Sequence, residues 1–359
     1  MLTYKRKLKL TKVQEERISS WIGACRLVYN MGLEIRTTAY KSHQKSVSKY
    51  DLINQLPTIK DIDWIKDVPS QSLQNAVERL DISYKNFFRT FKTGGGFPKF
   101  ATKRRYNSIL IKDVSVNENS IKIPKIGMLR MFKDAPILGI PKNAIIKKEP
   151  TGYFVCIVCE GVGKTVQNTD ENQVCGIDMG VAYFCVDNND NRIENPKHFK
   201  KYEDRLCVEN RSLARKNRGS TRWKNQAKKL GRLHHKIGNV RKDFLHKEST
   251  KLAKKFHTIY VEDLKIANMV RNKNLSKHIL DCGWGDFRTM LEYKTNVVKV
   301  NPKYTSQTCN DCGKKDAKNR ISQSEFVCKS CGHVSNADHN AAKNILSKGI
   351  LLSIANVSQ

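Results

Sequence analysis

The sequence predicts a multidomain protein of mixed α/β and α+β class, and three patterns indicate this. Apolar side chains in the first 95 residues recur mainly at helical spacing. Residues 106–160 contain short alternating runs broken by proline and glycine, the pattern of a small antiparallel sheet or barrel. From Val174 onward, nearly all-apolar strands alternate with helical stretches, which is typical of a parallel sheet. The length of 359 residues fits two to three such domains.

The composition is strongly basic, which indicates the kind of molecule that the protein binds. Lysine and arginine number 66 against 34 acidic residues, which gives a formal net charge of +32. So large a charge repels itself in a compact fold unless a polyanion neutralises it, so we expect nucleic acid as the partner. No run of 18 apolar residues occurs and no secretory signal is recognised, so we expect no membrane partner.

The use of the eleven cysteines indicates the redox state of the cellular compartment. Their number is odd and most are scattered through strand-like or helical stretches. A reduced cytoplasmic compartment, in which some cysteines bind metal, fits this usage better than a disulfide framework.

The N-terminal elements follow in order along the chain. Residues 3–10 alternate apolar and basic side chains and predict a strand. Thr11 and Gln14 form a capping-box pattern, which predicts the start of a helix. Helical spacing then continues until the glycines at 94–96. The polar stretch 165–172 is the predicted linker to the α/β part.

Two basic segments are candidate nucleic-acid contacts. Residues 205–257 hold 17 lysines and arginines against three acids, with one apolar face, and predict a helical hairpin. The loop after the glycines combines cations with Phe97 and Phe100, whose rings can stack on bases. The alternative for both segments is a solvated charged surface. The candidate contact residues are Lys99, Lys103, Arg104, Arg105, Arg211, Arg215, Lys216 and Arg222.

Four cysteines near the C-terminus have the spacing of a zinc site. Cys309-x2-Cys312 and Cys328-x2-Cys331 are two pairs separated by 15 residues, and each pair is followed by glycine. Four thiolates suit a tetrahedral Zn²⁺ ion, and ligation by cysteine alone leaves no open coordination position. We therefore predict one structural zinc ion in a zinc ribbon.

Two other features could imitate metal ligands. Cys156-x2-Cys159 lies inside an apolar, strand-like run and has no second pair, so both cysteines are predicted to be core residues. His333 follows the last cysteine pair, and we expect it to lie beside the site without binding the metal.

Three acids occupy positions typical of ligands for divalent cations. Asp178 and Glu262 end the apolar runs that begin at Val174 and Thr258, and Asp338 begins a helix. Rigid strand ends can hold the hard oxygen ligands that a pair of such cations needs. The alternative is that each acid is a solvated side chain or a helix cap, and spacing alone does not decide between these.

Separate motifs across the chain resemble those of one known family. The N-terminal part contributes Arg26-x-Val28-Tyr29-Asn30 and Phe97-Pro98-Lys99-Phe100. The C-terminal part contributes Gly176-Ile177-Asp178-Met179-Gly180, Val261-Glu262-Asp263-Leu264, Tyr304-Thr305-Ser306-Gln307-x-Cys309 and Asp338-His339-Asn340-Ala341-Ala342-x-Asn344-Ile345. In order and spacing these resemble the TnpB (OrfB) family, the insertion-sequence-encoded relatives of type V CRISPR effectors.

The resemblance implies a domain organisation. Residues 1–10 and 96–172 would form a wedge β-barrel that carries a helical recognition lobe, residues 11–95. Residues 173–302 and 334–359 would form a RuvC nuclease domain of RNase H-like fold, with a zinc ribbon for target nucleic acid inserted at 303–333. Asp178, Glu262 and Asp338 would be the catalytic acids and would bind two Mg²⁺ ions.

The resemblance also implies a function. The chain would be an RNA-guided DNA endonuclease of a transposable element, acting in a prokaryotic cytoplasm and associated with the nucleoid when bound to DNA. It would bind an element-derived guide RNA and cut target double-stranded DNA next to a transposon-adjacent motif by two-metal-ion hydrolysis. One alternative is a guided DNA-binding regulator that has lost cleavage, although such relatives lack acids that this chain keeps. A transposase acting on element ends is a second alternative, which the wedge-like N-terminal half fits poorly.

Overall fold

The fold is taken from a computed structural model that describes residues 1–357, with the side chains of all of these except residues 273, 274, 356 and 357. The predicted nuclease segment 334–359 therefore ends at two residues outside the described range. The chain divides into two compact units between Val162 and Gly163. The predicted wedge segment 96–172 spans this division. Within the second unit, the N–H groups of Thr165 and Val166 donate to the carbonyls of Tyr293 and Lys294, each at 3.2 Å.

The first unit combines helices with one antiparallel sheet. The helices are α1 (Lys12–His43), α2 (Lys49–Asn54), α3 (Leu56–Ile59), α4 (Asp63–Lys66) and α5 (Ser70–Thr90). The strands are β1 (Leu2–Lys9), β2 (Ser108–Lys112), β3 (Ser115–Asn117), β4 (Ser120–Ile123), β5 (Gly127–Met131), β6 (Ile140–Glu149) and β7 (Gly152–Glu160). These seven strands have the order β2-β6-β7-β1-β5-β4-β3.

One hydrophobic core holds the helices and the sheet of this unit together. It contains Trp21 of α1 and Leu80 of α5 together with Ile146 of β6, all nearly free of solvent contact. The predicted capping box begins α1, since the Thr11 hydroxyl accepts from the Gln14 N–H at 3.3 Å and the Gln14 side chain accepts from the Thr11 N–H at 3.1 Å. The predicted recognition lobe and the strands around it therefore form one compact unit.

The strands of the second unit are β8 (Val174–Asp178), β9 (Tyr183–Asp187), β10 (Arg192–Glu194), β11 (Thr258–Glu262), β12 (Asn296–Val300), β13 (Glu325–Val327) and β14 (Val334–Asn336). The first five form one sheet of order β10-β9-β8-β11-β12, and β13 and β14 form a separate antiparallel pair. Strands β8, β11 and β12 are parallel, whereas β9 is antiparallel to both of its neighbours, β8 and β10, so the predicted mixed α/β class is confirmed. The helices are α6 (His198–Ala214), α7 (Thr221–Lys255), α8 (Ile266–Met269), α9 (Lys273–Cys282), α10 (Trp284–Lys294) and α11 (Ala337–Val357).

A glycine in β8 lets helix α11 lie directly against the sheet. A Cβ atom on Gly176 would come within 2.5 Å of the Ala342 carbonyl oxygen and 2.6 Å of the Leu346 nitrogen. A side chain at this position would therefore push the helix away from β8. Because side chains two residues apart share a face of a strand, the face that meets α11 is also the face of Asp178.

Helices α6 and α7 form the predicted basic hairpin. Ser220 is the N-cap of α7, and its side chain accepts from the Trp223 N–H at 3.1 Å. A small core of Leu206, Leu233 and Ile237 joins the two helices. Within residues 1–357, no helix is both long and apolar enough to cross a membrane.

Candidate active site and cysteine cluster

Two of the three predicted acids lie side by side at the end of the parallel sheet. Strands β8 and β11 are in register up to the pair Ile177 and Val261, and each strand ends on the next residue, Asp178 or Glu262. Neighbouring strands are about 4.8 Å apart, and residues level with one another in parallel strands share a face. The two carboxylates are therefore directed to the same side of the sheet.

Helix α11 carries the third acid. The Asn336 side chain caps the start of this helix by accepting from the N–H groups of Asp338 at 3.0 Å and His339 at 3.3 Å. The His339 ring hydrogen-bonds the Asn188 carbonyl at 3.1 Å, and the Asn188 side chain accepts from the Gly176 N–H at 3.0 Å. These contacts tie the first turn of α11, and with it Asp338, to the end of β8.

The electrostatics link Asp178 to the other two acids. Burial and the nearby charges of Glu262 and Asp338 together raise the pKa of Asp178 to about 8. Burial also raises the pKa of Glu262 and the pKa of Asp338. Carboxyl groups that share a site in this way hold protons until a cation compensates their charge.

Arg320 is a basic residue of this site that the sequence did not reveal. Its guanidinium lies 3.6 Å from the Asp338 carboxylate and lowers the pKa of all three acids. Arg320 belongs to the segment between the two cysteine pairs, and nothing in its local sequence distinguishes it from other surface cations. Only the folded chain brings it to the acids.

The donor set of the three acids fits hard divalent cations. Carboxylate oxygens are preferred ligands for Mg²⁺, and a cluster of raised pKa values is expected where such ions are to bind. Within the described part of the chain, the four cysteines are the only group of three or more Cys, His, Asp or Glu side chains whose ligand atoms all lie within 4.8 Å of one another. The oxygens of the three carboxylates are therefore spread more widely than the four sulfurs.

The four predicted zinc ligands meet in one cluster. The Cys309 and Cys331 sulfurs are 3.8 Å apart, and those of Cys312 and Cys328 are 3.6 Å apart. A tetrahedral zinc ion with Zn–S bonds of about 2.3 Å requires sulfurs separated by roughly 3.8 Å. The donor atoms and their spacing therefore fit the predicted ion.

The two cysteine pairs have the same backbone geometry. In each, a glycine with positive φ, Gly313 at 72° or Gly332 at 75°, donates its N–H to the carbonyl of the first cysteine at 3.0 Å. A backbone hydrogen bond from Cys331 lowers the pKa of Cys328 to about 6, so this thiol is ionised at neutral pH.

The three residues that were predicted not to bind metal, His333, Cys156 and Cys159, are not part of the four-cysteine cluster. His333 is not part of it, although the His333 carbonyl accepts from the Cys328 N–H at 2.8 Å. Cys156 and Cys159 lie on β7, half-buried and buried respectively.

The loop after α5 presents its predicted cations to solvent. Lys99, Lys103, Arg104 and Arg105 are all exposed. The Phe97 ring packs against Phe87 of α5 at a centroid distance of 5.3 Å, whereas the Phe100 ring is 52% exposed. The loop is anchored by the Asn30 side chain, which accepts from the Ala101 N–H at 2.7 Å. Cations and stackable rings thus share one surface of the first unit.

The hairpin cations divide into exposed and restrained residues. Arg211, Arg215 and Arg222 are exposed. Lys216 is half-buried, and its amino group donates to the Ser212 side chain at 2.8 Å and to the Ser212 carbonyl at 3.1 Å. Lys216 is therefore less available to a ligand than the three arginines.

A basic cleft on the sheet of the first unit was missed by the sequence reasoning. It has a volume of about 460 Å³ and is lined by Lys9, Asn119, Ser120, Arg130, Met131 and Lys133. Lys9 lies directly opposite Arg130 in the β1–β5 pair, an arrangement of like charges that destabilises a sheet unless an anion compensates. The alternation of apolar and basic residues along 3–10 could have indicated a basic surface here, since it places Lys9 on the solvent-exposed face of β1.

Fold and site together define a mixed α/β protein that combines a carboxylate cluster with a zinc-type cysteine cluster. The same fold occurs in a Cas12f1 chain from a complex with single-guide RNA and target DNA (TM-score 0.53, 14% identity, 94% of this chain and 83% of that chain). It also occurs in the mini-RNA-guided endonuclease Cas_phi3 (TM-score 0.53, 11% identity, 97% and 92%).

Sequence comparison identifies the family within this class. The chain is 34% identical over 94% of its length to an Escherichia coli K12 protein named "Putative RNA-guided DNA endonuclease InsQ", covering 89% of that protein. A Streptomyces pristinaespiralis protein named "Putative RNA-guided DNA endonuclease" is 29% identical over 96% of this chain and 88% of its own length. The chain belongs to the TnpB (OrfB) family.

Three family profiles match separate parts of the chain. One described as "Probable transposase" (OrfB_IS605) matches residues 156–273, and one described as "Cas12f1-like, TNB domain" matches residues 284–345. The third, described as a helix-turn-helix domain, matches residues 1–45, which here form β1 and the single helix α1.

Proposed function

We propose that this protein is an RNA-guided DNA endonuclease of a transposable element. The observation that carries the proposal is that Asp178 and Glu262 end adjacent parallel strands, where the charges of Glu262 and Asp338 both raise the pKa of Asp178. Its support from relatives is the likeness over nearly the whole chain to proteins named as RNA-guided DNA endonucleases.

The parts of the chain take the following roles in this proposal. The sheet of the first unit is the wedge domain, and helices α1 to α5 form the recognition lobe that reads the transposon-adjacent motif. The five-stranded sheet is the core of an RNase H-like, RuvC-type nuclease domain, in agreement with its strand order. The ribbon with the four cysteines binds one structural Zn²⁺ and holds target nucleic acid near the acids.

In the proposed reaction, Asp178, Glu262 and Asp338 hold two Mg²⁺ ions. Such a pair supplies an activated water and stabilises the leaving oxygen of an in-line phosphodiester hydrolysis. The charges of Glu262 and Asp338 both raise the pKa of Asp178, so Asp178 would hold the cations together with these two acids. Arg320 lies on the ribbon side of the acids, where its guanidinium can bind a phosphate oxygen of the strand to be cut.

Nucleic-acid binding is distributed over both units in this proposal. Phosphates of the guide RNA bind in the cleft that contains Lys9 and Arg130, where an anion relieves the like-charge pair. The exposed cations of the loop 97–105 contact RNA or the duplex next to the target, and the three exposed arginines of the hairpin contact the guide–target heteroduplex. Base pairing then supplies the sequence specificity, while the protein binds mainly phosphates and shape.

The alternatives make different predictions for the same assay. A cleavage-deficient guided regulator would bind its matched target and leave both strands intact. A transposase would act on the ends of its element without a guide. The retention of all three interacting acids favours the nuclease over the regulator.

The test uses the ribonucleoprotein purified with its RNA, a matched target plasmid and Mg²⁺. Wild type should linearise the plasmid, and Asp178→Ala should bind the target without cutting it. Asp263→Asn is the matched control, because Asp263 adjoins Glu262 in sequence but its carboxylate pairs with Arg288 at 3.1 Å. Equal cutting by wild type and Asp178→Ala would refute the assigned site, and target binding without cutting by wild type would favour the regulator.

A further inference from the structure

A buried threonine contacts one of the three acids directly. The Thr305 hydroxyl is 2.5 Å from Oε1 of Glu262 and 2.9 Å from the Pro302 carbonyl oxygen. A hydroxyl has one proton to donate, and the shorter contact is the one to Glu262. Thr305 is only 2% exposed and Glu262 only 9%, so water cannot readily replace this hydrogen bond.

The backbone around Thr305 is fastened to helix α11. The amide of Asn344 donates to the Thr305 carbonyl at 2.9 Å and to the Thr308 carbonyl at 2.7 Å. One turn earlier, Asn340 donates to the same Thr308 carbonyl at 2.8 Å and accepts from the Asn310 N–H at 3.0 Å. Both asparagines are on the helix that begins next to Asp338, and both are buried.

The hydrogen-bond network of Thr305, Asn340 and Asn344 buries polar groups, which packing alone does not require. Burying two amide side chains and a hydroxyl is unfavourable unless each is hydrogen-bonded, and a fully bonded buried network fixes one geometry. Here the fixed distance is that between Glu262, held through Thr305, and Asp338, held through its own helix. The same loop continues into Cys309, so it also joins these acids to the cysteine cluster.

We propose that Thr305 is a positioning residue for divalent-cation binding, which orients Glu262 relative to Asp338 through the loop held by Asn340 and Asn344. The inference rests on the proposed function, since it assigns the three acids to one cation site. Groups that orient metal ligands typically change metal affinity by about 10-fold to 100-fold when they are removed.

Mn²⁺ binding to the full-length, RNA-free protein tests this without relying on catalysis. Electron paramagnetic resonance measures free Mn²⁺, and the binding lost in Asp178→Ala defines the site. Thr305→Val, which keeps the side-chain shape and removes the hydroxyl, should raise the half-saturating Mn²⁺ concentration about tenfold. Thr305→Ser should restore wild-type affinity, since it keeps the hydroxyl.

Thr308→Val is the matched control. The Thr308 hydroxyl donates to the Tyr304 carbonyl at 2.8 Å on the same loop and does not bond an acid among the described residues. This variant should bind Mn²⁺ as wild type does. One zinc ion per chain in every variant would establish that the cysteine cluster and its loop remain folded.

The outcomes separate this inference from the proposed function. If Thr305→Val binds Mn²⁺ as tightly as wild type while Asp178→Ala has lost the site, the positioning role is overturned and the nuclease proposal stands. If wild type and Asp178→Ala bind Mn²⁺ equally, the shared cation site itself is refuted. If Thr305→Val and Thr308→Val weaken binding equally, the effect belongs to the loop in general, and the inference is also overturned.

Discussion

Asp178 and Glu262 end two adjacent parallel strands, one residue beyond the register pair Ile177 and Val261. This relationship brings together two acids that are 84 positions apart in the sequence. The third acid reaches them because Gly176 admits the backbone of α11 to the same face of β8.

The raised pKa of Asp178 predicts a pH-dependent stability. The folded-state pKa is about 8, whereas an unfolded aspartate has a pKa of about 3.9. Between these values the folded state binds more protons than the unfolded state, so the free energy of unfolding falls as pH rises. In buffer without added divalent cations, wild type should have a lower melting temperature at pH 8 than at pH 6, and Mg²⁺ should reverse part of the loss at pH 8.

Asp178→Asn is the control for this titration. The amide carries no charge at either pH, so the variant should melt above wild type at pH 8 and be closer to it at pH 6. Thermal melts at both pH values measure the difference. A gap between variant and wild type that is the same at pH 6 and pH 8 would contradict the assigned titration.

Gly176→Ala should displace helix α11. The added Cβ would lie 2.5 Å from a backbone oxygen and 2.6 Å from a backbone nitrogen, neither of which can rotate away. We expect a loss of about 1–3 kcal/mol of unfolding free energy from overpacking, together with loss of DNA cutting. Urea unfolding and the plasmid assay measure the two effects.

Gly238→Ala is the matched substitution, because a Cβ there meets no atom within 4 Å and the residue is inside helix α7. It should leave cutting unchanged and raise stability by about 0.5–1 kcal/mol. If both glycine variants behaved alike, close packing of α11 on β8 would not be what positions Asp338.

The cysteine cluster should bind one zinc ion per chain. Cys328→Ser removes the ligand whose thiol is already ionised at neutral pH, so zinc content should fall well below one and the ribbon should become protease-sensitive. Cys156→Ser is the control, since Cys156 belongs to the other Cys-x2-Cys pair and lies on β7. Metal analysis of both variants decides the assignment, and a loss of zinc in Cys156→Ser alone would contradict it.

Arg130→Ala should weaken RNA binding and flatten its dependence on salt. Each phosphate contact that is lost reduces the slope of log affinity against log salt concentration by about 0.7–0.9. The variant should not be less stable than wild type, because it removes the like-charge pair with Lys9. Filter binding of the co-purified RNA at several salt concentrations gives the slope.

Lys142→Ala is the control for the cleft, because Lys142 is on the same sheet but is paired with Glu160 at 2.6 Å. This variant should keep the wild-type slope. An unchanged slope in Arg130→Ala would remove the cleft from the RNA-binding surface.

Arg320→Ala should slow DNA cutting at neutral pH by roughly tenfold or more, as expected when a charged group that stabilises a transition state is removed. It also removes the cation that lowers the pKa of all three acids, so the rate should recover partly as pH rises. Arg320→Lys should keep part of the activity. A pH–rate profile identical to that of wild type would exclude Arg320 from the site.

Sequence patterns predicted those features that depend on local order. The apolar runs that end in Asp178 and Glu262 could be recognised as strands, because a strand buried on both faces has an almost continuous apolar sequence. The cysteine spacing predicted the cluster because two short knuckles suffice to build a tetrahedral site. The capping box at Thr11 was equally visible, because its hydrogen bonds span only three residues.

Features formed by distant residues were not visible in the sequence. Arg320 and Thr305 have ordinary neighbours along the chain, and their contacts with Asp338 and Glu262 depend on how the ribbon folds back onto the sheet. The pairing of Lys9 with Arg130 required the register of β1 against β5. The difference between Lys216 and the exposed hairpin arginines likewise depends on a side-chain contact that composition does not encode.

In the proposed function, Asp178, Glu262 and Asp338 jointly bind a pair of divalent cations. Anomalous diffraction from crystals of the ribonucleoprotein soaked in Mn²⁺ would locate these cations. We predict two Mn²⁺ peaks about 3.5–4 Å apart, coordinated by these three carboxylates, in addition to the zinc peak at the four cysteines. Mn²⁺ peaks that lie away from these carboxylates, with none between them, would contradict the account.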